Sequence, residues 1–126
     1  MGRYAIRSTR APGPPGAASS GISAGQLVFV SAQLPLDADG QLVDGGAAGQ
    51  AGRAFDNLAH QLRSTGLSLD HVVSLDVHLV HEADRAAIDA AIRERFTRPY
   101  PALTITGVPW VPGGARLQVA AIAQRY

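Results

Sequence analysis

Two helix-forming patterns, each lying between strand-forming segments, constrain the fold of this chain more than any other feature of its sequence. They span Ala47–Ser64 and Ala83–Phe96, and apolar residues recur in both at intervals of three or four. That spacing predicts an amphipathic helix with one buried face. Because 126 residues correspond to one ordinary domain, both helices are expected to pack against a single sheet. The predicted buried stripes comprise Ala51, Ala54, Phe55, Leu58, Leu62, Ile88, Ile92 and Phe96.

Segments with strand-forming character surround these helices. Residues 72–80 alternate most clearly, since the odd-numbered positions from Val73 to Leu79 are apolar and Ser74, Asp76 and His78 face the other way. A segment rich in Pro, Gly and Ser predicts a loop over residues 11–21. The other predicted strands are Arg3–Arg7, Gln26–Gln33, Gln41–Val43, Ala102–Val108 and Ala115–Gln124.

The order of these elements predicts an α+β fold: one mixed sheet with both helices on one face. No helix pattern remains to cover the other face of that sheet, so we expect the chain to self-associate through it. The composition agrees with this expectation, because 46% of the residues are hydrophobic and only 17% are charged. A domain so poor in charge often buries part of its surface in an oligomer.

Composition also excludes several classes of function. The net charge of +1 indicates no electrostatic attraction to nucleic acid or to an anionic membrane. Cysteine and lysine are both absent, which excludes disulfides, thiol nucleophiles and a side-chain Schiff base. His60, His71 and His81 form no metal-ligand pattern, so neither a metal nor another cofactor is expected. No signal peptide or transmembrane segment is visible, and we expect a cytoplasmic chain without membrane partners.

Residues 31–43, SAQLPLDADGQLV, resemble a segment of the Rid family, whose members include RidA and YjgF. The similarity continues through Asn57–Leu58, VVSLDVHL at 72–79 and Pro101–Ala102, and it identifies residues 1–126 as a single domain of this family. The resemblance implies a chorismate mutase-like fold assembled as a homotrimer, with a central barrel and small-molecule clefts between subunits. It also implies hydrolysis of reactive enamines or imines, such as 2-aminoacrylate, to ketones and ammonia.

The positions that match the family's site residues are mostly substituted. The arginine that follows Pro-Ala and binds the substrate carboxylate corresponds to Leu103, and the glutamate of the last strand corresponds to Ala120. An early-loop tyrosine corresponds to about Ala18 and a helical asparagine to Asp89, whereas a serine is retained as Ser31. Because leucine offers a carboxylate no donor, and a buried unpaired carboxylate is costly, the resemblance implies a substrate without that carboxylate.

Strand alternation predicts which side chains line the cleft. A residue two positions from a cleft residue in a strand faces the same side, so Phe29 and Gln33 are expected to accompany Ser31. The result is an apolar cleft with a few neutral donors. The predicted ligand-binding residues are Ser31, Gln33, Leu103, Ile105, Arg116, Gln118 and Ala120.

Several side chains in or near this cleft have two interpretations. Arg116 either binds an anionic group or is solvated or paired at the mouth of the strand. Trp110 and Tyr100 either stack on a flat ligand or anchor a contact between subunits.

Three residues are candidates for acid–base chemistry. Asp76 and His78 share a strand face, so the carboxylate could orient the imidazole; alternatively both fill the barrel wall or make structural hydrogen bonds. Asp89 could act as a general base in an apolar pocket. The alternative is an ion pair on the helix surface with Arg85 or Arg93, each four residues away.

Two classes of function follow. The first is a divergent Rid-family trimer that hydrolyses an imine or enamine, or catalyses a related addition or cyclisation, on an uncharged or weakly polar substrate. The alternative is a ligand-binding or regulatory trimer without chemistry, as the combined loss of arginine, glutamate and tyrosine would produce. A third activity attached to some relatives, endoribonuclease, is disfavoured by the near-neutral charge and the absence of lysine.

Overall fold

The structure is a computed structural model that describes residues 2–126. Within that range, six strands form one mixed sheet in the order β1-β2-β3-β6-β4-β5. β4 and β5 run parallel and are connected through α2, whereas the other neighbouring strands are antiparallel. The elements are β1 Tyr4–Ile6, β2 Gly21–Ala24, β3 Leu27–Gln33, α1 Gly46–Arg63, β4 Val72–Leu79, α2 Arg85–Arg95, β5 Ala102–Gly107 and β6 Leu117–Gln124.

Both helices pack on the same face of this sheet, as the sequence predicts. The apolar stripe of α1 is fully buried, and α1 contacts β3, β6 and α2. Phe55 of α1 meets Phe96, just beyond α2, edge to face with 5.5 Å between ring centroids. Such aromatic pairs add stability beyond the area that they bury. The sheet residues beneath the helices are Val28, Val30, Leu75, Val77, Leu79, Leu117, Val119, Ala121 and Ala123.

The end of α1 is set by a local glycine. Gly66 has a φ of 82°, a left-handed conformation that glycine adopts without steric cost. The amide of Leu67 donates to the carbonyl of Leu62 at 2.9 Å, and the amide of Gly66 donates to that of Arg63 at 3.0 Å. These two hydrogen bonds form a Schellman motif, which stops the helix and directs the chain toward β4.

Two sequence predictions about the strands are wrong. Residues 41–43 form no strand; Leu42 makes one isolated bridge to Leu36. The predicted loop 11–21 ends one residue early, because Gly21 begins an unpredicted strand, Gly21–Ala24, that pairs with both β1 and β3. Such a strand is hard to detect because a short segment rich in glycine, serine and alanine carries little strand propensity.

A register irregularity corrects the predicted alternation of β4. The pairing of β4 with β6 shifts between Val72 and Ser74. As a result Val72 is buried and Val73 is exposed, contrary to the prediction that Val73 shares a face with Leu75. A bulge inserts one residue into a strand and therefore reverses the alternation on one side of it.

The Phe55–Phe96 contact generates a stability prediction. Replacing Phe55 by alanine leaves a cavity under α1, so Phe55→Ala should lower the free energy of unfolding by about 3–5 kcal/mol. Urea denaturation followed by circular dichroism measures this change. The control is Val73→Ala, at an exposed apolar position, which should change the value by less than about 0.5 kcal/mol. Equal effects of the two substitutions would contradict the assignment of the core.

Candidate functional site

The face of the sheet opposite the helices carries most of the predicted polar site residues. The register pairs His78 with Gln118 and Asp76 with Ala120, so these four side chains share that face. In the parallel direction Asp76 lies beside Thr104 of β5. Across Gly2–Tyr126 no helix covers this face, and its apolar part includes Phe29 with 41% of its surface exposed. We call this surface the open face.

On the open face His78 is held by an amide. Nε2 of Gln118 lies 2.8 Å from Nδ1 of His78. An amide NH2 can only donate, so Nδ1 accepts and the neutral ring carries its proton on Nε2. Asp76 and His78, which the sequence analysis considers as a possible pair, make no hydrogen bond to each other among the described residues. Strand geometry separates positions two apart by about 6.5–7 Å, which explains why the two side chains do not meet.

A bulge in β3 separates Ser31 from Gln33. A step of three positions on β3, from Val30 to Gln33, lies opposite a step of only two positions on β6, from Ala121 to Val119. Gln33 therefore points under α1, where it is buried and accepts a 3.5 Å hydrogen bond from Gln61. The prediction that Gln33 faces the same side of the strand as Ser31 is wrong, because the extra residue reverses the alternation.

Ser31 itself faces the loop before β2. Its hydroxyl donates to the carbonyl of Ser19 at 2.6 Å, and its amide donates to the carbonyl of Ser20 at 2.9 Å. Ala18, the position that corresponds to the family tyrosine, is exposed on the same loop. The retained serine thus fixes the loop on which that position lies.

Leu103 and Ile105 lie on the other side of the sheet. They pair with Leu75 and Val77, whose side chains are buried beneath the helices. β5 is the edge strand, so Leu103 remains 43% exposed beyond the cover of α2. Within one chain, the predicted lining is therefore divided: Leu103 and Ile105 lie on the helix side, whereas Gln118 and Ala120 lie on the open face.

A groove at the end of β4 and β5 combines the predicted Ile105 with Val80 and Glu82, which the sequence analysis did not single out. It encloses about 370 Å³, its apolar part includes Leu79, Val80 and Ile105, and Glu82 and Arg85 lie at its edge. Parallel strands joined by a helix end at the same edge of a sheet. That rule could have identified the groove from the order of β4, α2 and β5.

The remaining charged candidates are engaged in ion pairs. Asp89 accepts a 2.8 Å hydrogen bond from Nε of Arg93 on the exposed surface of α2. This is the surface ion pair that the sequence analysis gives as the alternative to a general base. This hydrogen bond, together with the carboxylate charge of Asp89, raises the pKa of Arg93 above its usual value. Arg116 donates from Nη1 to Asp84 at 3.0 Å, and its backbone amide donates to Gln50 at 2.8 Å.

Both aromatic candidates are accessible. Trp110 is 70% exposed in the loop before β6. Tyr100 precedes β5 and lies under the guanidinium of Arg98, 5.6 Å from the ring centroid. Neither packs into the core, so both are available to a ligand or to a second subunit.

Comparison with known proteins identifies the family. A family model described as endoribonuclease L-PSP matches residues 8–125. Protein DfrA of Myxococcus xanthus is 35% identical over 126 residues, which cover 98% of this chain and 96% of DfrA. The human 2-iminobutanoate/2-iminopropanoate deaminase is 30% identical over 122 residues, which cover 96% of this chain and 89% of the enzyme. The chain belongs to the Rid family. The crystal structure of RidA from an Antarctic Psychrobacter superposes with a TM-score of 0.92 at 28% identity, covering 96% of this chain and 98% of that one.

Membership of the Rid family confirms the predicted α+β architecture with a chorismate mutase-like fold. The agreement with RidA extends over nearly the whole chain, so the open face and the β5 edge belong to the shared fold. In the part of this Rid-family chain that the structure describes, no helix has the length and hydropathy needed to span a bilayer.

The two ion pairs differ in burial, and this difference generates a prediction. Asp84 has only 14% of its side chain exposed, whereas Asp89 and Arg93 are both more than half exposed. Arg116→Gln should lower the free energy of unfolding by about 1 kcal/mol, because the mostly buried carboxylate of Asp84 would lose its cation. Arg93→Gln, the matched control, should change it by less than about 0.5 kcal/mol. Chemical denaturation of both variants tests the ranking, and a larger loss for Arg93→Gln would contradict it.

Proposed function

We propose that this chain is a homotrimeric Rid-family enzyme whose clefts between subunits hydrolyse an uncharged or weakly polar imine or enamine. A related addition or cyclisation on the same kind of substrate is included in the proposal. The main support for this proposal is Leu103 on the edge strand β5. This half-exposed leucine stands where the family has its arginine, so the edge offers an apolar surface in place of a cation. Family membership supports the reaction class, since one relative is an imine deaminase by name.

Self-association is supported by the composition of the open face. Phe29 pairs with Ile122 across β3 and β6, and with Ile22 of β2 on its other side. These side chains form an apolar patch on a sheet face without helical cover. Burying such a patch against other copies removes apolar surface from water. Such an assembly would also bring the open face of one subunit close to the β5 edge of another. Gln118 and Ala120 of the first subunit would then lie near Leu103 of the second.

The proposed reaction needs a group that moves protons. Water adds to the C=N carbon, a proton is transferred to nitrogen, and the carbinolamine collapses to a carbonyl group with release of ammonia. His78 presents an N–H at Nε2 that can donate to the substrate, and it can act as a base through Nδ1 once Gln118 releases that atom. Asp76 and Asp89 are the candidate carboxylates; Asp89 would first have to leave Arg93. The apolar side chains of Leu103 and Ile105 would hold a substrate that carries no carboxylate.

The alternative function is a ligand-binding or regulatory trimer without catalysis. The pairing of Asp89 with Arg93 and of Arg116 with Asp84 favours it, because two of the four charged candidates are already neutralised within the chain. In that case the cleft would retain a small apolar ligand unchanged.

The proposed assembly predicts the effect of a charge on the open face. Phe29→Glu should convert the trimer to a monomer, because the carboxylate would be buried in an apolar contact. Analytical ultracentrifugation of the wild type and the variant measures the mass. The matched control is Tyr4→Glu, which introduces the same charge at an exposed aromatic of β1 on the opposite side of the sheet and should leave the trimer intact. A monomeric wild type, or a Phe29→Glu trimer, would refute the assembly.

The catalytic proposal is tested by ammonia release from a panel of uncharged imines. Replacing the group that transfers the proton should lower kcat about 100-fold or more, so His78→Ala, Asp76→Ala and Asp89→Ala are compared with the wild type. Glu94→Ala, an exposed carboxylate on α2, serves as the control and should be unaffected. If no imine turns over, or none of the three variants loses activity, the catalytic proposal is wrong. Native mass spectrometry that finds a stoichiometric, unchanged ligand would then favour the binding function.

A further inference from the structure

A groove between β1 and the loop that follows it contains none of the ligand-binding or acid–base candidates described above. The groove encloses about 390 Å³, with residues 5–7 on one side and residues 13–14 and 18–20 on the other. Part of its wall is apolar and comes from Ala5, Ile6 and Pro14. Ligand pockets in proteins typically measure about 300–1,000 Å³, so the groove is large enough for a small molecule.

Arg7 places a cation in this groove. A methyl group at Gly13 would lie 3.5 Å from Nη2 and 3.6 Å from Cζ of Arg7, so the guanidinium packs against the backbone of that glycine. Within residues 2–126, no carboxylate lies within salt-bridge distance of Arg7. The N–H donors of its guanidinium therefore lie at the groove without an acidic partner.

The surrounding sequence leaves this charge without compensation. Residues 1–36 contain three arginines and no aspartate or glutamate, and the first acidic residue of the chain is Asp37. A concave surface lined by charge of one sign attracts ligands of the opposite sign. An anion is thus the class of ligand that the groove favours.

A second and independent observation also indicates a ligand. Ser20 lines the groove and is only 3% exposed, and its Oγ has no hydrogen-bond partner among the described residues. A buried hydroxyl without a partner is uncommon, because it has lost its hydrogen bonds to water. An oxyanion in the groove would accept from this hydroxyl after rotation to another staggered χ1 position.

The loop that carries Ser20 is also the loop to which Ser31 is bound. The carbonyls of Ser19 and Ser20 accept hydrogen bonds from the hydroxyl and the amide of Ser31, at 2.6 and 2.9 Å. Ala18, the position that corresponds to the family's tyrosine, precedes them and also lines the groove. A ligand in the groove would therefore contact the residues that connect this position to β3.

We infer that this groove binds an aliphatic carboxylate, which acts as an effector by fixing residues 18–20. The guanidinium of Arg7 matches the two oxygens of a carboxylate, and the hydroxyl of Ser20 adds a donor. The aliphatic chain lies against Ala5, Ile6 and Pro14 and removes their apolar surface from water. The inference does not rest on the proposed reaction, because none of the residues assigned to the cleft takes part in it.

Binding is tested with hexanoate, by calorimetric titration of the whole protein at constant ionic strength. Hexanamide has the same chain without the charge, so it should bind about tenfold more weakly or less. Arg7→Gln should weaken hexanoate binding about tenfold or more, because charge-assisted hydrogen bonds are lost. Arg10→Gln is the matched control: it removes the same charge from a nearby residue that does not line the groove, and it should bind hexanoate like the wild type.

Ser20→Ala separates contact with a ligand from a structural role. Removing a buried hydroxyl that has no partner should leave the midpoint of urea denaturation unchanged or raise it, yet weaken hexanoate binding about fivefold. Hydrogen exchange of the Ser31 amide should slow in hexanoate, because its acceptor, the Ser20 carbonyl, lies on the loop that the ligand fixes.

Three results would overturn the inference: equal binding of hexanoate and hexanamide, an equal loss of affinity in Arg7→Gln and Arg10→Gln, or unchanged exchange at Ser31 in hexanoate. A lower denaturation midpoint with unchanged hexanoate binding in Ser20→Ala would also contradict it. These measurements do not involve imine turnover, so the inference and the proposed function fail separately.

Discussion

Buried amide side chains on α1 hold the connections between the elements of this fold. Gln61 accepts from the amide of Ser8, which fixes the segment after β1. Asn57 donates to the carbonyls of Leu34 and Leu36, both at 2.9 Å, which fixes the loop after β3. Gln50 accepts from the amide of Arg116 at the start of β6. Buried polar groups are costly unless they are hydrogen-bonded, so these amides specify where each loop lies as well as where the helix packs.

That arrangement determines which side of the sheet is free. Once α1 and α2 occupy one face, the bonds of Gln50, Asn57 and Gln61 bring the loops toward the helices and away from the opposite face. The open face therefore keeps its apolar side chains and the Gln118–His78 pair accessible. The edge strand β5 is left similarly accessible, because it pairs on one side only, with β4. The two surfaces that form the candidate site are both consequences of covering the sheet from one side.

The helices of this fold can be predicted from the sequence, whereas the local geometry of the site cannot. The apolar stripe of α1 recurs at helical spacing from Ala51 to Leu62, so tertiary packing reinforces a pattern that is already periodic. The bulges near Val73 and after Val30 add a single residue to a strand, and no residue type in either segment requires it. Each bulge moves one predicted side chain, Val73 or Gln33, to the other face. Similarly, family resemblance assigns Leu103 to the cleft. Within one chain, however, Leu103 and Ala120 lie on opposite faces of the sheet, and this depends on the parallel pairing of β4 with β5, which strand composition does not encode.

The charge on the open face limits how copies of this chain can assemble. Asp76 has no cation within hydrogen-bonding range among the residues that the structure describes, and burying an unpaired carboxylate costs far more than an apolar contact of similar area provides. A trimer that covers this face must therefore leave Asp76 in contact with water or supply it with a partner. The group that can do so from the same face is the imidazole of His78 in a neighbouring subunit, because His78 of the same chain lies too far along β4 to meet Asp76. The same contact that would make assembly favourable would place the Asp76 carboxylate beside the Nε2–H of that histidine. Such a pair would orient the imidazole and leave the lone pair of Nδ1 as the position for proton transfer once Gln118 is displaced.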